Sequence, residues 1–459
     1  MGLSSLHIIG AVLTLVFIVC IGIFSGKWVK GASDFATGGK RSGAMLVMGG
    51  LTGTVVGGSS TIGTAQLSFN FGLSAWWFTL GSGIACLVLG LVFVKVFRNC
   101  GSETIQQIIS KEYGMKAGVI TAVLGALGML LNLISQLLSF NALLLSVIEI
   151  NPIIATFSGI GLMICYVAFG GILGVGILGI VKLSLLYFAT IFGGFFALNL
   201  AGGFFVLYDT LPTEQFFNFF ARGVAVDLGA GLSLVLGVLS TQIYMQVILS
   251  AKTDRTAQVG ALLSAFLIPP IGAGGILVGQ YMRITYPDTN PALAFPRFII
   301  EYFHPFFGGV ALAALLIAVT GTGAGIALGI SNIITNNIYL KFINKNATQK
   351  RTLLVMRILI LFTLMTGVFI TIANLESIIM GWGFMSMALR AAVLFVPMCA
   401  ALILKERVSP NYIIASSLIG LGTVIVGHIV GWSTTFDPLF LGIGVGVLIV
   451  AFGVFAHKQ

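Results

Sequence analysis

The sequence contains little charge for its length. Only 8% of its 459 residues are aspartate, glutamate, lysine or arginine, whereas a soluble domain carries about 25%. Hydrophobic residues make up 58% of the chain. Most of this protein therefore cannot face water, which excludes a soluble multidomain protein and indicates an integral membrane protein.

Cysteine and histidine are also scarce, with five and four residues. The cysteines form no CxxC pair and most lie in apolar runs, so we predict neither a disulfide framework nor a structural metal site. The sequence has no HExxH, GxSxG or Walker motif and no paired carboxylates, which argues against an enzyme, an ATP-driven pump and an organic cofactor. The net charge of +10 is dispersed over short loops, so it does not indicate nucleic-acid binding.

Long apolar runs make up most of the chain. About 20 apolar residues cross a bilayer, and on that basis the sequence predicts thirteen spans, numbered here 1 to 13. An odd number places the two termini on opposite sides of the membrane. The predicted spans are roughly 6–26, 43–69, 75–97, 116–149, 151–170, 174–201, 228–250, 257–282, 307–339, 352–373, 376–404, 411–430 and 434–456.

The basic residues determine the predicted orientation. Of the 23 lysines and arginines, two lie inside spans (Lys182 and Arg390), three lie in one set of loops, and the remaining 18 lie in or beside the alternate set. Because positive loops face the cytoplasm, we predict a multi-pass protein of the cell membrane with its N-terminus outside and its C-terminus in the cytoplasm. The three outward basic residues are Arg222, Arg283 and Arg297.

Two spans contain stretches rich in glycine and small hydroxyl residues, Gly49–Gly63 in span 2 and Thr320–Gly329 in span 9. Glycine costs about 1 kcal/mol per residue in a helix interior, and small hydroxyl side chains offer the backbone other partners. Transporters use such breaks to bind ions and substrates. We therefore predict that both spans are broken, with tight packing of small residues as the alternative.

Several short segments, taken in chain order, resemble signatures of the sodium:solute symporter family. Ser33–Arg41 resembles the DFFLAGRS stretch after the first span, and Ile62–Ser74 resembles GxxGxxYxYGLS in the second. The matches extend over roughly residues 5–405 at family-like spacings. Further matching segments are Gly101–Gly114, Gly170–Gly171, Ser250–Ala257 and Ile333–Tyr339.

This resemblance implies an all-α integral membrane protein with a LeuT-type fold. One leading helix with the first cytoplasmic loop (1–42) is expected before two inverted five-helix repeats (43–201 and 202–404) and two trailing helices (405–459). The implied function is a secondary transporter that binds a small solute at the midplane of the bilayer and moves it by alternating access. A transporter-derived solute sensor or a membrane enzyme is the alternative.

The resemblance also implies the position of an ion site. In the family, one sodium ion lies between carbonyl oxygens of the broken second span and Ser/Thr hydroxyls of the ninth. By registration on the motifs, the carbonyl positions fall at Gly53 and Val56, and the span 9 positions at Ala318, Gly321 and Thr322. Thr322 retains a hydroxyl, whereas Gly321 has none.

Span 6 departs from the family pattern at the same site. The family's aspartate falls at Gly179, and Lys182 follows three residues later on the same helical face. Lys182 lies roughly 12 Å into its span, so its flexible stem allows it to snorkel to the cytoplasmic interface. The alternative is an ammonium that replaces the ion, either as a fixed charge or as a proton carrier. Sodium-coupled transport and sodium-independent or proton-linked transport both stay open.

Arg390 is the most deeply placed charge in the sequence. It lies roughly 21 Å from either end of span 11, which is too far to snorkel, and no acidic residue lies at its depth. We predict either a clamp on carbonyls of a broken helix, with Gly381 and Gly383 breaking span 11, or a residue that binds an anionic group of the solute. The predicted solute-binding residues are Gly57, Gly58, Ser59, Ser60, Thr61, Thr241, Gln242 and Arg390.

Overall fold

The computed structural model describes residues 3–25, 38–167, 171–375, 377–432 and 435–456. Within these ranges the chain is helical, and its only extended pairing is one isolated bridge between Ser42 and Ala251. The first part of the Ser33–Arg41 motif and Gly170 of the Gly170–Gly171 motif lie outside the described residues.

A helix lies in each of the thirteen predicted segments. Among the described helices, ten are long and apolar enough to cross a membrane, or up to eleven if the bent pair in span 7 counts as one crossing. The number of crossings therefore stays a prediction. The spans that consist of one helix are Ser5–Ser25 (span 1), Pro152–Val167 (span 5), Gln349–Ile372 (span 10), Pro410–Ile429 (span 12) and Leu439–Ala456 (span 13). Span 4 lies in the helical segment Ile105–Val147, which is kinked at Gly114, where φ is 82° and ψ is 170°.

Four other spans contain a wider π-helical turn that does not interrupt the helix, and span 8 consists of two helices that meet at Ile268, ahead of a Pro-Pro pair. Proline lacks the N–H that a helix interior requires, so a new helix starts there. The pieces are Trp77–Val88, Leu89–Phe93 and Val94–Asn99 (span 3), Gly171–Leu186, Tyr187–Phe192 and Gly193–Leu200 (span 6), Asp254–Leu267 and Pro269–Thr285 (span 8), Pro305–Ile334 and Thr335–Ile343 (span 9), and Ile379–Arg390, Ala391–Phe395 and Val396–Ile403 (span 11).

The predicted break in span 2 is confirmed. Its first helix is Ala44–Val55 and its second is Ile62–Phe71. Val56 follows the first helix in an extended conformation, with φ −85° and ψ 100°. The intervening residues 57–61 are therefore unwound and buried in the middle of the molecule.

The predicted break in span 9 is wrong. Residues 320–329 lie inside the uninterrupted helix Pro305–Ile334. Their small side chains allow neighbouring helices to approach closely instead. At Gly321, for example, an added Cβ would lie 2.8 Å from the ring of Tyr166. Glycine-rich sequence serves helix packing here, as in other membrane proteins.

Span 11 also stays helical at its glycines, so the predicted break at Gly381 and Gly383 is wrong. Both residues lie within the helix Ile379–Arg390. Gly383 instead allows this helix to approach the break in span 2, since a Cβ there would lie 3.0 Å from Ser59 Oγ.

Span 7 contains a break that the sequence analysis missed. The helices Val224–Leu239 and Gln242–Leu249 meet at an angle of 48°, with Ser240 and Thr241 between them. The two broken spans each begin one of the repeats implied by the family resemblance. In that implied arrangement, the unwound segments of spans 2 and 7 have equivalent places in the two repeats.

Spans 2, 6 and 9 meet in the interior. Every residue of span 9 from Ile317 to Ile333 is buried. Span 2 contacts span 6 along a line of glycines, where a Cβ added to Gly53 would lie 2.8 Å from the Cα of Gly179. This contact brings side chains of span 6 within reach of the span 2 break.

Candidate functional site

The break in span 2 is held in one conformation by its own hydroxyl groups. The backbone N–H of Gly57 donates to Ser60 Oγ at 2.8 Å, and Thr61 Oγ1 donates to the carbonyl of Gly57 at 2.9 Å. These bonds satisfy backbone groups that the interrupted helix leaves unpaired. The unwound segment is therefore an ordered part of the site.

Span 4 forms one wall of this break. The N–H of Gly58 donates to Gln136 Oε1 at 2.8 Å, and the hydroxyls of Ser59 and Ser135 lie 2.5 Å apart. A Cβ at Gly58 would lie 2.1 Å from Ser139 Oγ, so only glycine fits there. The sequence analysis did not select Ser135, Gln136 or Ser139, although their spacing on one face of an apolar span could have indicated them.

Lys182 reaches the predicted ion site and does not snorkel. Its ammonium donates to the carbonyl oxygens of Gly53 at 2.6 Å and Ala318 at 2.8 Å, and to Thr322 Oγ1 at 3.0 Å. Lys182 is 1% exposed. The three N–H groups of the ammonium are therefore all used, and they link span 6 to spans 2 and 9.

The residues at this position do not fit a sodium ion. Such an ion needs about five or six oxygens at roughly 2.3–2.6 Å, as other hard cations do. Three of the candidate oxygens already accept hydrogen bonds from the Lys182 ammonium. The carbonyl of Val56 accepts from Thr322 Oγ1 at 3.1 Å. Gly321 contributes no side-chain oxygen, and Tyr166 fills the space beside it.

The missing carboxylate at Gly179 follows from the same packing. A Cβ at Gly179 would lie 1.9 Å from the carbonyl oxygen of Gly49. A side chain of any size would therefore force spans 2 and 6 apart, and the Lys182 ammonium could then no longer reach Gly53 O. The glycine at position 179 and the bond from Lys182 to Gly53 therefore depend on the same close packing of spans 2 and 6.

Arg390 lies at the break in span 7. It is completely buried, and Nη1 donates to Thr241 Oγ1 at 2.5 Å. Nε donates to the carbonyl of Ser386 at 3.0 Å and Nη2 to Ser386 Oγ at 3.1 Å. Ser386 Oγ in turn donates to the carbonyl of Gly128 in span 4. Arg390 therefore joins span 11 to spans 4 and 7, and no described carboxylate pairs with it.

Gln242 is turned away from the break in span 2. Its Nε2 donates to the carbonyl of Glu103 at 2.8 Å, and its Oε1 accepts from the N–H of Ile105 at 3.1 Å. Arg98 reaches the other end of the same half-helix, where Nη1 donates to the carbonyl of Ala251 at 2.8 Å. Gln242 thus fastens the second half of span 7 to the loop before span 4.

A cavity of about 530 Å³ lies between spans 7, 11 and 12. Phe384 lines it and packs edge-on against Phe78 at 5.4 Å between ring centroids. The neighbouring Gly383 abuts Ser59. One helix turn of span 11 therefore separates this cavity from the break in span 2. Charged or titratable residues on the cavity wall are Arg222, His428 and Asp437.

Comparison with known proteins identifies the family. Residues 35–420 match the sequence profile of the sodium:solute symporter family. The chain belongs to this family. The chain is similar to the sodium/proline symporter of Escherichia coli strain K12, with 24% identity over 94% of this chain and 90% of that protein's length. The human high affinity choline transporter 1 is 25% identical over 77% of this chain and 66% of its own.

The fold of this symporter-family chain is of the LeuT type. A Na⁺-coupled sialic acid symporter in a substrate-bound, outward-open state superposes with a TM-score of 0.83 at 16% identity, covering 99% of this chain and 98% of the other. A nucleobase-cation-symport-1 family transporter superposes with a TM-score of 0.61 at 13% identity, covering 94% and 95%. At such identities the likeness concerns the fold alone.

Proposed function

We propose that this symporter-family protein is a secondary transporter that moves a small organic solute by alternating access without requiring sodium. The observation that supports this proposal best is the Lys182 ammonium bonded to Gly53, Ala318 and Thr322. The ammonium bears the same charge as Na⁺ and donates to oxygens that would otherwise bind the ion. It joins the broken span 2 to span 9 as a bound ion would.

A sodium ion and the ammonium cannot both occupy this position. Two unit positive charges a few ångströms apart repel strongly inside a protein, where the effective dielectric constant is far below that of water. The ammonium can release its charge only by giving up a proton. We therefore infer that a proton gradient, rather than a sodium gradient, is the coupling force for this transporter.

The solute is expected to bind between the two breaks and to carry an anionic group. Arg390 places an uncompensated positive charge at Thr241, and a buried charge without a counter-ion is costly. A carboxylate that enters the site would supply the counter-ion. Proline and sialic acid, which two of the similar transporters carry, have a carboxylate, whereas choline has none.

Uptake into proteoliposomes tests the proposal. Thermal-shift screening of the purified protein against amino acids, sugar acids, other carboxylates, choline and inorganic anions selects the solute. Its uptake is then measured with external Na⁺, K⁺ or N-methyl-D-glucamine, each with and without an inward proton gradient. We expect equal uptake with the three cations and an increase of severalfold with the proton gradient.

The variant Lys182→Ala serves as the comparison. It should lose solute accumulation or leak, because the charge that links span 6 to spans 2 and 9 is gone. A saturable requirement for Na⁺ in the parent protein, together with normal uptake by Lys182→Ala, contradicts the proposal. Binding of the solute without uptake or counterflow would identify a sensor instead.

A further inference from the structure

Tyr166 lies next to the lysine site and has a buried hydroxyl. It belongs to the span 5 helix Pro152–Val167 and is 7% exposed. Its Oη has no hydrogen-bond partner among the described residues. An unpaired buried hydroxyl costs about 1–3 kcal/mol, and this one lies against the helix that contributes Ala318 and Thr322 to the lysine site.

The Tyr166 hydroxyl lies against Gly321 of span 9. A Cβ built on Gly321 would lie 2.8 Å from both Cζ and Oη of Tyr166. The phenol therefore occupies the space that a side chain of residue 321 would fill. Ala318 and Thr322, which both accept from Lys182 Nζ, lie on the same helix at three residues before and one residue after Gly321.

We propose that Tyr166 supplies, from span 5, the second hydroxyl of the site that residue 321 does not supply from span 9. The inference rests on the proposed function, in which the Lys182 ammonium takes the place of the ion. With Tyr166 included, the proposed site has five oxygens: the carbonyls of Gly53, Val56 and Ala318 and the hydroxyls of Thr322 and Tyr166, the last of which makes no hydrogen bond to another described residue.

The ammonium has only three N–H groups and already uses all of them. The Tyr166 hydroxyl is thus a spare acceptor. When alternating access moves span 2 away from span 9, the ammonium loses the bond to Gly53 or those to span 9. Tyr166 can then accept from it, which keeps the charge solvated by the protein. In this role Tyr166 is a positioning residue for Lys182.

Removal of the lysine allows a direct test that needs no knowledge of the solute. In Lys182→Ala no ammonium occupies the proposed site. Its five oxygens are close to the number that a hard monovalent ion requires. We expect NaCl, compared with KCl at equal ionic strength, to raise the melting temperature of purified Lys182→Ala, but not that of the parent. Adding Tyr166→Phe, which removes only the oxygen, should weaken the apparent affinity for Na⁺ at least about tenfold.

Two further variants make the test specific. Tyr113→Phe removes another buried hydroxyl that has no partner among the described residues and lies far along the chain from the site. In the Lys182→Ala background it should leave the Na⁺ effect unchanged. The triple change Lys182→Ala/Tyr166→Leu/Gly321→Ser returns the hydroxyl to span 9 and should restore the Na⁺ effect. If Lys182→Ala is not recovered as folded protein, Lys182→Val, which also adds no oxygen, provides the background.

The outcomes separate this inference from the proposed function. No Na⁺ effect in the lysine-free protein, or an effect that Tyr166→Phe leaves intact, overturns the role of Tyr166. A Na⁺ requirement for uptake by the parent overturns the sodium-independent mechanism, whatever the lysine-free variants show.

Discussion

At the scale of single residues, Arg390 combines a structural and an electrostatic role that two substitutions can separate. Arg390→Lys retains the charge but cannot reproduce the planar fork that bonds Ser386 and Thr241. Arg390→Gln removes the charge as well. Because hydrogen bonds to charged groups contribute about 1.5–3 kcal/mol each, both variants should melt at lower temperature than the parent. Only Arg390→Gln should also weaken solute binding, by about tenfold or more, as measured by calorimetry.

The control for this pair is Arg255→Gln, since Arg255 is exposed beyond the end of span 7. It should match the parent in both melting temperature and solute affinity. Equal solute affinity in Arg390→Gln and the parent would show that Arg390 is a structural clamp and that the solute needs no anionic group.

At the scale of elements, the contact between spans 2 and 6 should tolerate no side chain. Gly179→Ala places a Cβ 1.9 Å from the carbonyl oxygen of Gly49, so the helices must separate and the Lys182 bond to Gly53 lengthens. Overpacking of this kind costs about 1–3 kcal/mol or more. We expect a lower melting temperature and loss of uptake.

Gly444→Ala is the matched control for that substitution. Gly444 lies in span 13, and a Cβ there has no neighbour within 4 Å. Alanine is favoured over glycine in a helix by about 1 kcal/mol, so this variant should be as stable as the parent or slightly more stable. If Gly179→Ala behaves like Gly444→Ala, the close packing of spans 2 and 6 does not position the lysine.

The broken spans show where reasoning from local sequence succeeds and fails. Glycine and small hydroxyl residues in span 2 correctly predicted an unwound segment. The similar composition of span 9 predicted a break that does not exist, because tight packing and unwinding both require small residues. Span 7 is broken at Ser240 and Thr241 without a glycine at the break. The inverted repeat implied by the family resemblance could have indicated it, since span 7 corresponds to span 2 in that arrangement.

At the scale of the whole molecule, the predicted orientation can be tested by labelling. Single cysteines at Asn346 and Asn290, both exposed, are introduced into a protein whose five cysteines are replaced by alanine. A membrane-impermeant maleimide applied to whole cells should label the cysteine at 290 only, because the 342–350 loop is rich in lysine and should face the cytoplasm.

Permeabilised cells provide the control, in which both positions should react. Labelling of both positions in intact cells would place the two loops on one side. It would then contradict the predicted number of crossings and the inverted relation between the two repeats.

The sequence by itself determined the membrane environment, most of the helical segments and the family, because these depend on hydropathy and on short motifs that are local in the chain. It also indicated that Lys182, Gly321 and Gly179 depart together from the family's ion site. Only the tertiary structure decided where the ammonium group of Lys182 lies. Lys182 is separated by 129 residues from Gly53 and by 140 from Thr322, and whether its ammonium snorkels to water or bonds to their oxygens depends on how closely spans 2, 6 and 9 pack. Likewise, only helix packing brings the Tyr166 hydroxyl beside Gly321. A local sequence pattern does not predict which neighbouring helix fills the space beside a glycine.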